Sequence, residues 1–506
     1  MHQLDLPAPG LADAPAFRDP SAAAAWLARQ PLAQPAQMQA ALQEAIAAVD
    51  ASDIAAADRL GILDRLRSAV ILAQSALEPR YSRKPLPLPV ADAALFSAAR
   101  RLWRTLAVAY LRIVPQLPPA EAVVPLHRGA VALRVEQYAH FLAAYELPEE
   151  LMGLLYGVLQ AAESLGVQQV PQTDADYKHI HESHIAGQVA WAFLLQFADP
   201  YHLSMAQLTV ANRAFSRWRE LAGFRNGPDE DLRARTLPLT ALAGEVAAGR
   251  WLDVRPVARK IRKRIEALEA GEAPEALKLG RELSSTACIR LLHQLDEALR
   301  PGAGAPARET GSLGLVVGVE NIYALLAGER LDPGGGKPSR TVNHQRMEIF
   351  GFDNLVTPVG AQRRVKVPAE TWQSAQGQVS RAAEAGTRLL SPCLAARELE
   401  PGQAARLCVL EGLHMSPEDR LQGWLRCYPA PVQAASIQAA SQVGAEARLP
   451  VFVLGTGQGL SVVLPAAAGL RPGSRLNLEG TVVAPVMLGE VLERGSDFVR
   501  YAAMPQ

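Results

Sequence analysis

Cysteine is scarce: Cys288, Cys393, Cys408 and Cys427 are the only four in 506 residues. None lies in a C-x-x-C pair, which argues against a zinc ribbon and still more against a disulfide framework. An excess of one charge is also missing, because 51 Lys plus Arg face 51 Asp plus Glu. No global field therefore draws the chain to nucleic acid or to anionic lipid, and partners must be chosen by local sites. Long apolar runs are absent too. The greasiest window, "ALFSAARRLWRTLAVAYLRIV", is cut by arginines, whereas a bilayer crossing needs roughly twenty apolar residues in a row. The opening "MHQLDLPAPGLADAPAF" lacks the basic start and apolar centre of an export signal. These absences predict a cytoplasmic protein with no membrane insertion and no nucleic-acid partner.

What is present is an ordinary globular composition, 49% apolar and 20% charged, in a chain too long for a single core. From about residue 20 to 300 the apolar period is helical. In "DRLGILDRLRSAVILAQSALEPRY", Leu63, Leu66, Val70, Ala73 and Leu77 step by three and four, and Pro79 stops the helix. Leu102, Leu106, Ala109 and Ile113 repeat the pattern before Pro115. No fixed repeat length appears, so a bundle is expected and a regular solenoid is not. After the linker "RPGAGAPARETG" the texture changes to short β-rich runs: "SLGLVVGV", "QAARLCVLEG", "LQGWLRCY", "LPVFVLGTGQGLSVVLP" and "RLNLEGTVVAPVML". The expected organisation is α+β and multidomain: a flexible start over 1–19, helices over 20–300, a β-barrel domain over 301–430, and a β-rich tail over 431–506 that packs on or extends the barrel.

Candidate chemistry is thin. "GGGKPS" resembles a phosphate loop, but Pro338 stands where the magnesium-binding hydroxyl belongs. "GTGQGL" sits between apolar runs and reads as a hairpin turn. "HIHESH" gathers His179, His181 and His184, yet its last pair is spaced by three instead of the four that aims two imidazoles at one zinc. A polar loop entering the next helix accounts for it. "VRPVARKIRKRIEAL" sets Val257, Ile261, Ile265 and Leu268 against a basic face, the pattern of a solvated bundle helix or of a surface for an acidic partner. No G-x-S-x-G elbow occurs in a strand-to-helix setting. No catalytic residue, metal or cofactor is assigned, and an enzyme is not expected.

Several stretches carry a resemblance. "YSRKPLPL", "LLQFADPYHLS", "LGLVVGVENIYALLAG", a long loop, a tryptophan strand and the ending "LERGSDFVRYAAM" together resemble proteobacterial proteins in which a long helical region precedes a PilZ-type β-barrel. The resemblance implies a non-enzymatic signalling regulator with cyclic di-GMP as its possible ligand and a protein partner met through the helical domain. PilZ modules hold the ligand with an R-x-x-x-R stretch and a [D/N]-x-S-x-x-G turn. Arginine suits the task twice, as a forked phosphate donor and as a flat cation on guanine.

Here both elements are depleted. Arg308 is the only arginine in "APARETGS", with Gly304 and Ser312 four residues to either side. In "TWQSAQGQVSRAAEAGTRLLSP", the segment reads as strand, turn around Gly386, and strand. If Gly386 is the motif glycine, Arg381 and Ala383 occupy the polar positions; in the other register Gln378, Ser380 and Ala383 do. The implied ligand residues are Arg308, Gly386 and Arg381, with Arg363 and Arg364 as substitute cations. Either the ligand is bound weakly or differently, or the protein works without it as a structural adaptor.

Overall fold

The computed structural model describes residues 4–10, 12–180, 182–228, 235–301, 311–331, 367–375, 377–397, 405–429, 431–440, 446–456, 459–480 and 484–506. They form two units: Met1–Ala305 with His414–Asp419, and Pro306–Leu413 with Arg420–Gln506.

The first unit is helical. Its helices are α1 (Pro20–Leu27), α2 (Pro35–Asp50), α3 (Ala56–Leu77), α4 (Val90–Ile113), α5 (Pro119–Ala143), α6 (Glu149–Ser164), α7 (Ile185–Phe197), α8 (Met205–Trp218), the single turn α9 (Thr240–Ala243), α10 (Arg255–Glu269) and α11 (Ser285–Ala298). Strands are minor: β1 (Gln172–Thr173) pairs with β2 (Glu182–Ser183), and β3 (Gly223–Asn226), β4 (Thr236–Pro238) and β5 (Arg250–Asp253) form a small sheet with β5 central.

Local chemistry sets the helix ends. Asp19 caps α1 by accepting from the Ser21 and Ala22 amides, each at 2.9 Å, and Ser204 with Gln207 makes a reciprocal capping box on α8. The apolar stripes expected on α3, α4 and α10 are buried, Leu63, Leu66, Leu102, Leu106 and Ile261 completely so. Phe17, Leu4 and Leu6, in the stretch read as a flexible start, pack into or against the same core. Helices α5 and α7 differ from the others because they are buried nearly all round, and in α5 His127, Arg134, Glu136, Gln137 and His140 are buried with it. A helix without a solvated face lies inside its bundle.

The second unit is all strand apart from one short helix and a 3₁₀ turn among its described residues. β6 (Gly311–Val317), β7 (Glu370–Ala375), β8 (Gln378–Ala382), β9 (Cys393–Arg397), β10 (Arg406–Met415) and β11 (Arg420–Cys427) close into a barrel of order β10-β11-β8-β7-β6-β9. The tail does not merely extend this barrel. β12 (Val432–Ala440), β13 (Glu446–Leu454), β14 (Ser461–Pro465), β15 (Arg475–Gly480), β16 (Ala484–Arg494) and β17 (Phe498–Pro505) close a second one, of order β12-β13-β14-β17-β16-β15. The "VFVLGTGQGLSVVL" hairpin is its β13–β14 pair. Helix α12 (Val319–Ala327) joins the two, since Ile322 and Tyr323 share one cluster with Val316 and Leu394 of the first barrel and Phe452 and Phe498 of the second.

Closure removes the unpaired edges that would otherwise template aggregation. Along β11 burial alternates, with Leu421, Gly423 and Leu425 inside, as the two-residue period of a strand requires. Gly423 is needed there, because an added Cβ would lie 2.9 Å from the Glu411 carbonyl oxygen. One expectation from the sequence fails here: Cys408 and Cys427 form a disulfide. They stand 19 residues apart on β10 and β11, consecutive strands joined by a four-residue connection, at positions equally far from it. The spacing carries a trace of that adjacency, but it shows only once the two runs are paired as a hairpin with its turn at 416–419.

Candidate functional site

The segment quoted above is strand and turn. β7 and β8 pair antiparallel with Gln373 opposite Ser380, and Gly377, at φ 86°, makes the tight reversal between them. Positive φ is the region that glycine enters without a Cβ penalty. "QVSRA" is therefore β8, not a helical turn. The second strand expected in "GTRLL" reduces to a bridge at Leu389, and β9 starts only at Cys393.

Arg381, near the end of β8, is 2% exposed. Its Nη1 donates to the Ala382 and Ala383 carbonyls at 3.1 and 3.0 Å, its Nη2 donates to the Thr387 carbonyl, and its Nε lies 3.1 Å from Glu370 Oε2. The guanidinium carbon stands 5.1 Å from the Trp372 ring centre. Burial lowers the Arg381 pKa, and Glu370 works against that shift. Glu370 in turn accepts from the Thr387 amide at 2.7 Å and its hydroxyl at 2.8 Å.

Gly386 completes the arrangement, because a Cβ there would sit 2.5 Å from the Glu370 carboxyl carbon. The structure thus brings Arg381 and Gly386 into one cluster through Glu370. Chemically, that cluster is a clamp on the 383–387 turn, with the arginine facing inward. Arg308, Arg363 and Arg364 lie outside the described residues.

A second polar centre lies inside the helical unit. Arg67 grips Asp174 with both terminal nitrogens, at 2.8 and 2.7 Å, and reaches Asp176 at 2.6 Å. Arg128 adds a 2.6 Å contact to Asp174, and Ser68 donates to Asp176 at 2.7 Å. Burial opposes charge on Asp174, yet bonding to Arg67 overcomes it and holds the carboxyl below its ordinary range. One layer further in, His127 Nε2 is 2.8 Å from Ser183 Oγ, which also accepts from Gln188 at 2.9 Å. Gln188 Oε1 accepts from Arg134 Nε at 2.9 Å, and the Arg134 guanidinium carbon lies 3.5 Å from the Trp191 ring centre.

Sequence reasoning missed this centre, although a signal existed. Arg67 falls between Leu63 and Val70 at steps of four and three, on the buried stripe itself, and Arg134 interrupts an otherwise apolar run of α5. A charge placed on a buried stripe announces a partner or a ligand.

The histidine cluster resolves differently. His184 caps α7, its Nδ1 accepting from the Gly187 amide at 2.8 Å, while His181 and the side chain of His179 lie outside what is described. Among the described residues no group of three or more His, Cys, Asp or Glu could hold a metal ion. No described helix is long and apolar enough to cross a membrane.

A helical unit with a buried polar centre precedes two closed six-stranded barrels. Residues 21–229 match the family model described as the cyclic-di-GMP receptor FimW, N-terminal domain. The match runs from α1 to just beyond β3, covers less than half of the chain, and leaves the barrels outside it. That likeness, followed by a six-stranded barrel, is consistent with a cyclic-di-GMP effector-like protein. No curated protein and no solved structure matches the chain.

Proposed function

We propose that this chain is a non-enzymatic cytoplasmic regulator that responds to cyclic di-GMP, with a PilZ-like first barrel meeting the nucleotide and the helical unit meeting a protein partner. The observation that carries the reading is the similarity of residues 21–229 to the N-terminal domain of a cyclic-di-GMP receptor. In this reading Arg308, Arg363 and Arg364 supply forked phosphate donors. Arg381 is a positioning residue that fixes the 383–387 turn, and Gly386 allows that turn to close on Glu370.

A second reading, a protein-binding adaptor without a nucleotide, is favoured by one specific observation. The donors of Arg381 are taken up by Glu370 and by three carbonyls of its own turn. Calorimetric titration of the full chain with cyclic di-GMP separates the two. The receptor reading expects saturable binding that weakens at least tenfold in Arg308→Ala, about 1.4 kcal/mol. Absence of saturation up to about 1 mM ligand, the affinity scale of some 4 kcal/mol, would leave the adaptor standing.

A further inference from the structure

Arg134 is 4% exposed and lies on α5, a helix buried on nearly every side. Its Nε is spent on Gln188 and one face of its guanidinium on Trp191. Among the described residues the Nε bond to Gln188 is its hydrogen bond, no carboxylate stands within ion-pair distance, and Tyr177 and Asp174 favour its charge only at longer range. Burial lowers its pKa to about 10, so it is still a cation at neutral pH. A buried charge without a counter-ion costs several kcal/mol. The same fold pairs Arg67 with two aspartates, and even Arg59 and Arg83, which have no ion pair among the described residues, donate a terminal nitrogen to Gln116 and to the Pro200 carbonyl.

Beside Arg134 opens a cavity of about 190 Å³. Trp191, Trp103 and Tyr138 line it together with Asn212, and Glu78 stands at the wall without an ion-pair partner among the described residues. Drug-sized ligands occupy roughly 300–1,000 Å³, so this volume admits one ring and one small charged group but not a whole dinucleotide. Aromatic walls suit a flat apolar body, and a fork of free N–H donors suits an oxyanion.

We infer that this cavity is a binding site for a small organic anion, a carboxylate or phosphate carried on a single flat ring, with Arg134 as its anion-binding residue and Trp191 as the platform that holds the guanidinium in place. The site lies wholly within the helical unit, so it stands or falls independently of nucleotide binding by the barrel.

The test uses the full chain and the tryptophans of the pocket as reporters. Fluorescence titrations with benzoate and with phenyl phosphate distinguish the carboxylate from the phosphate, and benzyl alcohol and inorganic phosphate supply ring and anion alone. One aromatic anion is expected to saturate the signal, with each half-ligand at least tenfold weaker. Arg134→Met should weaken that anion at least tenfold while circular dichroism stays unchanged. Arg134→Lys, which keeps the charge and loses the planar fork, should fall between. Glu78→Gln, on the partly exposed wall, should tighten binding by removing like charge, and it reports even if Arg134→Met fails to fold. The inference is overturned if neither aromatic anion saturates up to about 10 mM, a scale of roughly 2.7 kcal/mol. It is equally overturned if binding is indifferent to both Arg134→Met and Glu78→Gln.

Discussion

Arg381 and Arg134 are both buried arginines set against a tryptophan, one in a barrel and one in a helical bundle, and they satisfy their charge in opposite ways. Around Arg381 the protein supplies a carboxylate and three backbone carbonyls. Around Arg134 it supplies one side-chain amide and an aromatic face. The turn motif pointed to the first, whose donors are already committed; the second belongs to no motif and keeps its donors free. Buried charge is informative through what surrounds it, and sequence spacing reports the charge without the surroundings.

The widest separation between paired and unpaired charge comes from a third arginine. Arg67→Met leaves Asp176 with the Ser68 hydroxyl and Asp174 with Arg128 and the Asp176 amide. Removing one partner of a buried pair costs about 3–5 kcal/mol. Urea unfolding of the full chain followed by circular dichroism at the helical signal should show a loss of that size. A loss below about 1 kcal/mol, the range of a surface pair, would mean that the cluster is solvated and the contrast with Arg134 is empty.

Next in size is the clamp in the first barrel. Arg381→Met removes a guanidinium that ties β8 to the 383–387 turn, and hydrogen bonds to charged groups contribute about 1.5–3 kcal/mol each, partly offset here by the desolvation no longer required. A net loss of about 2 kcal/mol in barrel stability is expected. Gly386→Ala should lose a comparable amount, about 1–3 kcal/mol, because its Cβ collides with Glu370. If tryptophan fluorescence during denaturation shows both variants unfolding like the parent, the turn is not held by this cluster.

How much of this was legible follows from the range of each interaction. Helical stripes and strand alternation are local, so Leu63, Leu66 and Leu77 on α3 and the hairpin of β13 with β14 could be read from spacing alone. The disulfide between Cys408 and Cys427 was missed although it spans consecutive strands, because it shows only when the register of the β10–β11 hairpin is set, and cysteines without a C-x-x-C pair read as unpaired. Helix α12 was hidden for a related reason: "VENIYALLA" is a short apolar run between strands, and its burial between two barrels decides its conformation. At the candidate site, the residue type at 381 was visible while its partner Glu370, eleven positions upstream on β7, was not. Asp174 lies still further from Arg67, 107 residues along the chain.

A smaller effect concerns the buried histidines of α5, His127 and His140, both held neutral by burial. Burial, then Arg128, lowers His127 from 6.5 to about 3. A base with a depressed folded pKa stays neutral in the fold while the unfolded chain takes up a proton, so stability present above pH 6.5 is lost as pH falls toward 3. Between pH 6.5 and 5 the loss is about 2 kcal/mol. Glu136, raised to about 7 by burial, has the opposite sign over its own range, and His140, lowered by burial to about 3, the same sign, but both are common to parent and variant. His127→Gln should therefore flatten the fall in melting stability between pH 7 and 5. Parallel pH profiles for parent and variant would show that His127 does not titrate between the two states.

The smallest expected change in stability is the most discriminating. Arg134→Met exchanges a buried cation lacking a carboxylate for an apolar side chain of similar length, which keeps the contact with Trp191 and leaves only Gln188 without its donor from Nε. Losing that bond costs about 1–3 kcal/mol, while relief of desolvation returns several. The two terms oppose each other, so the unliganded variant should lie within about 1 kcal/mol of the parent or above it. The same replacement at Arg67 should be ruinous, although both residues are almost fully buried. If Arg134→Met destabilised the free protein as strongly as Arg67→Met, the guanidinium would already be satisfied by the fold, and no anion would be needed to account for its presence.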